Sequence, residues 1–377
     1  MRRRPASSPG AAPAAALLLA VVCALPAPVL AGASSPSGLP LLAPPPPAQV
    51  VLGRRLFFDR QLSVNGTLSC AMCHVPEQGY TANELRTSVG MEGVSLRRNA
   101  PTLLNVAHHR TLFHDGRAAS LEEQALMPLL HPDEMANPDL STLAARAAAM
   151  PGYGALFRRA FGDPRVTGTR IASALAAFQR TLLAADSPFD RWRYGGDASA
   201  ITADVRRGFE IFVARGCVRC HPVGDREALF TDHRFHNVGV GWRTEKRRRS
   251  TVHVSLAPGV SASLTAAEIA RVGAPETADL GRYEVTRDPL DLRAIRTPTL
   301  RNVALTAPYM HDGSLDTLEQ VLDHHAHGGS PDDPAQDPGI ASLTLSDDDR
   351  RALLAFLHSL TSPQRPGQPV GLRGSRN

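Results

Sequence analysis

A chain of 377 residues is long enough for two domains, each burying a core of its own. The apolar fraction of 43% is that of an ordinary globular protein, but aromatics are sparse at 5%, so something besides ring stacking is expected to fill part of the core. The first 31 residues hold three arginines and no acid, so the remainder has 38 bases against 36 acids, which excludes an electrostatic case for binding nucleic acid or anionic membrane.

In chain order, Arg2, Arg3 and Arg4, an apolar run from Ala14 to Leu25, and Val29-Leu30-Ala31 read as an export signal spanning residues 1–31 and cleaved near Ala31. The expected location is therefore the periplasm. A run of 12 residues is too short to span a bilayer, although a retained anchor is the competing reading. Residues 32–48, rich in Pro, Ser and Ala, read as a flexible or polyproline leader, with structured sequence starting near Gln49. Ile171 to Leu183 has helical apolar periodicity, and Asp204 to Arg215 reads as a helix ended by Gly216. The stretch from about Asp225 to Asp291 carries no clear pattern; its Lys246-Arg-Arg-Arg run is read as solvated rather than as a dock for an acidic partner. Ser346 followed by three aspartates is a helix start, and Leu353, Leu354, Phe356, Leu357 and Leu360 form one apolar face behind it. The tail 363–377 is expected to be disordered.

The chain repeats itself. Cys70-Ala-Met-Cys73-His74 is answered by Cys217-Val-Arg-Cys220-His221, and the block from Pro101 to Glu122 by that from Pro298 to Glu319, where 11 of 22 positions are identical. The second copy holds the additional stretch near 225–291 between its motif and its block. The fold class expected is mainly α: two domains of one fold related by duplication, at 49–196 and 197–362.

Cys70, Cys73, Cys217 and Cys220 all lie in C-x-x-C-H, and the fifth cysteine, Cys23, leaves with the signal. Two thiols at this spacing can form thioethers to the two vinyl groups of haem, and the adjacent His74 or His221 then reaches the iron. A thioredoxin-like redox pair or a zinc site are the alternatives for one isolated match. Two matches, repeated, behind an export signal and with no spare cysteine, favour two covalent c-type haems, each enclosed by a cytochrome c-like domain.

Further segments carry a resemblance. Leu52-Gly-Arg-Arg-Leu-Phe-Phe-Asp, Arg98-Asn-Ala-Pro-Thr, Asp115-Gly-Arg, Gln124, Glu134-Met135, Ser187-Pro-Phe-Asp, Leu300-Arg-Asn-Val-Ala-Leu-Thr-Ala-Pro-Tyr and Ala355-Phe-Leu-His-Ser-Leu resemble the bacterial di-haem cytochrome c peroxidase and MauG family. The resemblance runs from about Val51 to Ser362. It implies peroxide chemistry at the N-terminal haem, with Glu134 as the distal acid–base residue and Gln124 as its neighbour. It implies an electron-handling C-terminal haem, whose distal ligand position falls on His325, one of three histidines with His324 and His327. Met91 stands in the loop where many relatives place a blocking histidine; it is read as an apolar loop residue rather than a sixth ligand of the first iron. His114 stands where the family usually has a Trp between the haems. The resemblance also implies a calcium ion held by the Asn99 side chain and the Thr306 and Pro308 carbonyls.

The function implied is reduction of hydrogen peroxide to water with electrons from a small periplasmic cytochrome c or cupredoxin. One alternative is a MauG-like enzyme that uses peroxide to oxidise residues of a partner protein, and another is a non-catalytic two-haem electron carrier. The resemblance also allows a homodimer.

Overall fold

A computed structural model describes residues 38–249, 251–257, 260–265 and 278–363. The expected export signal, the expected leader before Gly38 and the expected disordered tail beyond 363 lie outside the described residues. Helices dominate. The first half contains α1 (Pro47–Phe58), the single turn α2 (Cys70–Cys73), α3 (Leu121–Leu130), α4 (Leu140–Ala149), α5 (Tyr153–Phe161), α6 (Gly168–Gln179) and α7 (Pro188–Arg193). The second contains α8 (Ala203–Ala214), α9 (Val240–Arg249), α10 (Tyr283–Thr286), α11 (Leu318–Ala326) and α12 (Asp347–Ser359). Sheet among the described residues is confined to two antiparallel pairs. Strands β1 (Phe235–His236) and β4 (Ile295–Arg296) meet at Phe235 and Arg296, and β2 (Thr251–Ala257) and β3 (Val260–Thr265) form a hairpin from the Thr251–Thr265 pair inward. No described helix is long and apolar enough to cross a membrane.

The helix boundaries follow local chemistry. Thr202 caps α8 by accepting the Val205 amide, and the helix stops at Arg215 before Gly216 takes φ +78°. Ser346 and Asp349 form a reciprocal capping box at the start of α12. Helix α6 ends at Gln179, short of the expected Leu183, because Arg180 to Leu183 turn to join the loop that pairs with Asn105.

Two hydrophobic cores result. Leu52, Leu56 and Phe57 of α1 meet Ile171, Leu175 and Phe178 of α6, with Leu129, Leu143 and Phe157 around them. In the second core, Phe212 of α8 meets Leu353, Phe356 and Leu357 of α12, with Phe189 and Phe230 closing the aromatic cluster. Each pair of long helices crosses at a glycine. A Cβ on Gly53 would lie 1.8 Å from the Ala174 carbonyl oxygen, and one on Gly208 would lie 1.9 Å from that of Ala352. Only a hydrogen at those positions permits so close an approach of two backbones.

Matching residues of the sequence repeat do matching work. Asn105 and Asn302 both adopt φ +60°, and their side chains accept the amides of Ala184 and Ser362. Thr102 donates to the Gly79 carbonyl as Thr299 does to Leu229.

Two expectations change. Helix α7 falls on the N-terminal side of the expected boundary at 196/197, yet Phe189 is wholly buried in the second core and Asp190 pairs with Arg301 there. The leader is packed from Gly38: Gly38 and Leu39 are buried, and the Gly38 carbonyl accepts from Arg301 Nη2 at 2.6 Å and from the Ala228 amide at 3.1 Å. The Arg301 guanidinium, lacking water, takes backbone carbonyls and the Asp190 carboxylate as substitutes.

The 225–291 stretch is more than a solvated excursion. Its Asp279 binds Arg98 through two hydrogen bonds of 2.7 Å, and Glu284 binds Arg97 at 2.7 and 2.8 Å. Lys246 is exposed and pairs with Asp332 at 2.6 Å.

Candidate functional site

The single turn α2 presents Cys70, Cys73 and His74 to a cavity. Phe57, Leu68, Leu96, Leu103, Leu129 and Leu175 supply apolar walls. Gln124 and Glu134 line the same space. Residues far apart in sequence are thus brought together, while Met91 is not among the lining residues. Its sulfur accepts from Asn65 Nδ2 at 3.2 Å and its amide donates to the Asp133 carbonyl, which holds it in the neighbouring loop.

The histidines of the two C-x-x-C-H motifs are held alike in both halves. His74 Nδ1 donates to the Tyr80 carbonyl at 3.1 Å and His221 Nδ1 to that of Phe230 at 2.7 Å. A carbonyl can only accept, so each ring keeps its proton on Nδ1 and offers Nε2 as a metal ligand. Burial holds both rings below the usual histidine value, which favours the neutral form that ligation requires. The four cysteines are free thiols. Burial pushes Cys70 up to about 12 and raises Cys73 and Cys217 as well. A cavity with apolar walls, two thiols, and a neutral imidazole with a free Nε2 fits a covalently attached haem.

Glu134 sits in the turn that follows α3. Pro128 lies inside the last turn of α3 and lacks an amide to donate; its carbonyl accepts the Met135 amide, while Asn137 Nδ2 donates to the Leu62 and Leu129 carbonyls. Met135 and Asn137 are buried and anchor the turn, and Glu134 shares the cavity with Cys70 and Cys73, near enough to raise both thiols. Burial raises its pKa from the ordinary glutamate value, with His131 and Arg117 opposing. Gln124 is one helical turn before Pro128, on the face of α3 that lines the cavity.

One lining residue was not foreseen. Gln179 at the end of α6 is 4% exposed, and its Oε1 has no hydrogen-bond partner. The sequence signal was a polar residue closing an otherwise apolar helix face, Ala172 to Phe178.

In the second half the three histidines separate. His324 Nε2 donates to the Val238 carbonyl at 2.9 Å, and His327 is exposed with Nδ1 on the Asp323 carbonyl. His325 remains on the face near His221. Burial, with His324 and His221 beside it, pushes His325 down to about 3. Cys220 also lies with Asp232 and His236, ligand atoms within 4.8 Å of one another. His236 is held between Asp232 at 3.0 Å and Asp337 at 2.5 Å.

The halves meet at His114 and His311, whose rings are 6.5 Å apart and edge-on. His114 Nε2 donates to the Asn99 carbonyl at 2.9 Å, and the Asn99 amide donates to the His311 carbonyl at 2.7 Å. Asn99 Nδ2 donates to the Arg86 carbonyl, and Thr306 and Pro308 lie on the segment that leads to His311.

A family model for di-haem cytochrome c peroxidase matches residues 47–199. The chain is 39% identical over 336 residues to a methylamine utilization protein MauG of Methylorubrum extorquens, covering 87% of this chain and 84% of that one. It is 35% identical over 276 residues to a cytochrome c551 peroxidase of Nitrosomonas europaea, covering 72% and 71%. Among solved structures, a MauG-like protein associated with microbial copper homeostasis matches with a TM-score of 0.67 at 30% identity, over 87% of this chain and 93% of that one.

Proposed function

Because the chain belongs to the di-haem cytochrome c peroxidase and MauG family, an oxidoreductase family that implies haem c, we propose that it is an exported peroxidase. It reduces hydrogen peroxide to two waters, with two protons and two electrons, the electrons coming from a small periplasmic cytochrome or copper protein. Its two halves descend from one duplicated cytochrome c-like unit, each holding one haem.

The observation that carries this reading is the shared cavity of Glu134 and Gln124 with Cys70, Cys73 and His74. Haem, when bound, supplies an iron that accepts peroxide and passes electrons. Glu134 does the proton work. Burial raises its pKa toward the working pH, so its carboxyl can take the proton from one peroxide oxygen and return it to the other. Gln124 orients the bound oxygens by hydrogen bonding. The apolar walls exclude bulk water, which strengthens both interactions. In the second half, His221 and His325, near enough to influence each other's charge, would hold the second haem iron, and Asn99 Oδ1 with the Thr306 and Pro308 carbonyls would hold calcium, an ion that prefers oxygen ligands.

Glu134→Gln tests the assignment. We expect peroxide turnover to fall by roughly 10²–10⁴-fold with both haems still bound; unchanged turnover would remove Glu134 from the mechanism.

Two observations favour a MauG-like second reading, in which the oxidising equivalents are spent on a partner protein. Met91 is engaged by Asn65 and does not line the cavity, so the distal face needs no ligand displaced before peroxide enters. His325 lies near His221, and as a ligand it would be a second imidazole, which would lower the potential of that haem relative to Met and let it share oxidising equivalents. Consumption of reduced cytochrome with peroxide distinguishes the first reading; a long-lived oxidised spectrum after adding peroxide to the ferric protein marks the second. A carrier without catalysis would have no use for Glu134 in the cavity.

A further inference from the structure

Arg296 is 8% exposed where β4 meets the first half of the chain. Its hydrogen bonds go to uncharged groups, with Nε donating to the Phe113 carbonyl at 3.3 Å and Nη1 to His109 Nδ1 at 3.1 Å. Among the described residues no carboxylate lies within ion-pair distance of it. The buried Arg301 does have one, Asp190 at 2.9 Å, and the half-buried Arg293 holds Asp333 at 2.5 Å. A buried guanidinium without a counter-charge is costly, and native proteins normally supply a partner.

The surroundings of Arg296 are suited to an anion. His233 Nδ1 and His108 Nε2 are buried without partners. The His109 ring, edge-on to His233 at 6.0 Å, accepts at Nδ1 and therefore carries its proton on Nε2. Burial holds all three rings below the usual histidine value, so they are neutral; Arg110 and Asp232 also act on His233 and Arg301 on His108, while Arg296 is the charge in contact with His109. The matching repeat position in the first half, two residues before Pro101 as Arg296 is before Pro298, is the uncharged Asn99. The charge therefore serves this half in particular, not the common fold.

The cluster adjoins the second C-x-x-C-H motif. His233 lies three residues beyond Phe230, whose carbonyl holds His221. Thr297, next to Arg296, accepts from Thr231 through its carbonyl at 2.7 Å. A haem fixed to Cys217 and Cys220 through its vinyl groups still carries two carboxylates on the ring. We propose that Arg296, with His108, His109 and His233, binds a carboxylate of that haem and so sets its potential. This rests on the haem reading above.

The test compares wild type, Arg296→Gln and Arg296→Lys, all with haem counted by pyridine haemochrome. In Arg296→Gln the midpoint potential of one haem falls, because a positive charge that favoured its reduced form is gone, and the propionate-bending band of that haem shifts in resonance Raman. The other haem holds its potential, and Arg296→Lys keeps both signatures near wild type. Unmoved potentials and bands in folded Arg296→Gln with full haem would overturn this proposal alone, as would an equal fall at both haems. A wild-type potential that responds to added chloride or phosphate, with the response lost in Arg296→Gln, would assign the pocket to a solute anion instead and overturn it too. Wild-type chain without covalent haem would overturn the haem reading and this proposal with it. If Arg296→Gln does not fold, His233→Leu is read by the same Raman band, with a shift supporting the proposal and an unmoved band overturning it.

Discussion

Replacing Gly53 by alanine would place a methyl carbon 1.8 Å from the Ala174 carbonyl oxygen and 2.9 Å from Phe178 Cβ. Ordinary carbon contacts lie at about 3.5 Å or more, so α1 and α6 would have to part by roughly 1.5 Å. The obstacle is backbone and cannot rotate aside, so the overpacking cost falls toward the upper end of the usual range, about 3 kcal/mol. Alanine returns about 1 kcal/mol through helix propensity, which leaves a net loss of about 2 kcal/mol. At roughly 2–4 °C per kcal/mol, Tm should drop by about 4–8 °C. Gly208→Ala meets the Ala352 carbonyl at 1.9 Å and should lose as much. Gly154→Ala is the contrast, because its nearest neighbour, Pro164 Cβ, is 3.9 Å away; it should gain about 0.5 kcal/mol. Thermal unfolding followed by circular dichroism and by haem absorbance measures all three. Phe57, Leu175 and Gln179 line the cavity from α1 and α6, so Gly53→Ala should also slow peroxide turnover more than Gly208→Ala does. A Gly53→Ala protein as stable as wild type, or a Gly154→Ala protein equally damaged, would refute the packing argument.

Asp190→Ala should cost about 3–5 kcal/mol, read as a lower denaturant midpoint, because it strands the wholly buried Arg301 guanidinium. His325→Met should raise the potential of one haem in a spectroelectrochemical titration, since Met as axial ligand favours the reduced iron; an unchanged potential would place the sixth ligand elsewhere. Stability should decline as pH falls below about 6.5, before the carboxylates titrate. Burial holds His108 and His324 at about 4 and His114 at about 3 in the folded chain, so their contribution is complete above the unfolded value and is lost as pH falls toward the folded ones. Burial pushes Asp279 up, but Arg98 overcomes this and holds it well below the usual carboxylate range; its contribution is present above about 3.9 and disappears as pH falls further. A Tm unchanged between pH 7 and pH 4.5 would count against the buried neutral histidines.

Some of this protein is decided by local chemistry and is readable in the chain. C-x-x-C-H carries both thiols and the ligand histidine within five residues, so its meaning does not depend on what folds around it. Caps at Thr202 and Ser346 and the stop at Gly216 act over a single helical turn, and those boundaries lie where the sequence places them. Other features depend on encounters between distant segments. Glu134 in isolation is an acid in a polar loop; it becomes a candidate proton carrier because Pro128 and Asn137 anchor that loop at the cavity it shares with Cys70 and Cys73. His325 parts from His324 because the Val238 carbonyl, from a distant loop, takes the His324 ring. The place of α7 with the second core, the packed Gly38, and the unpaired Arg296 had no local signature. Each is set by which groups lose their water together when the two halves close, and that is a property of the tertiary structure.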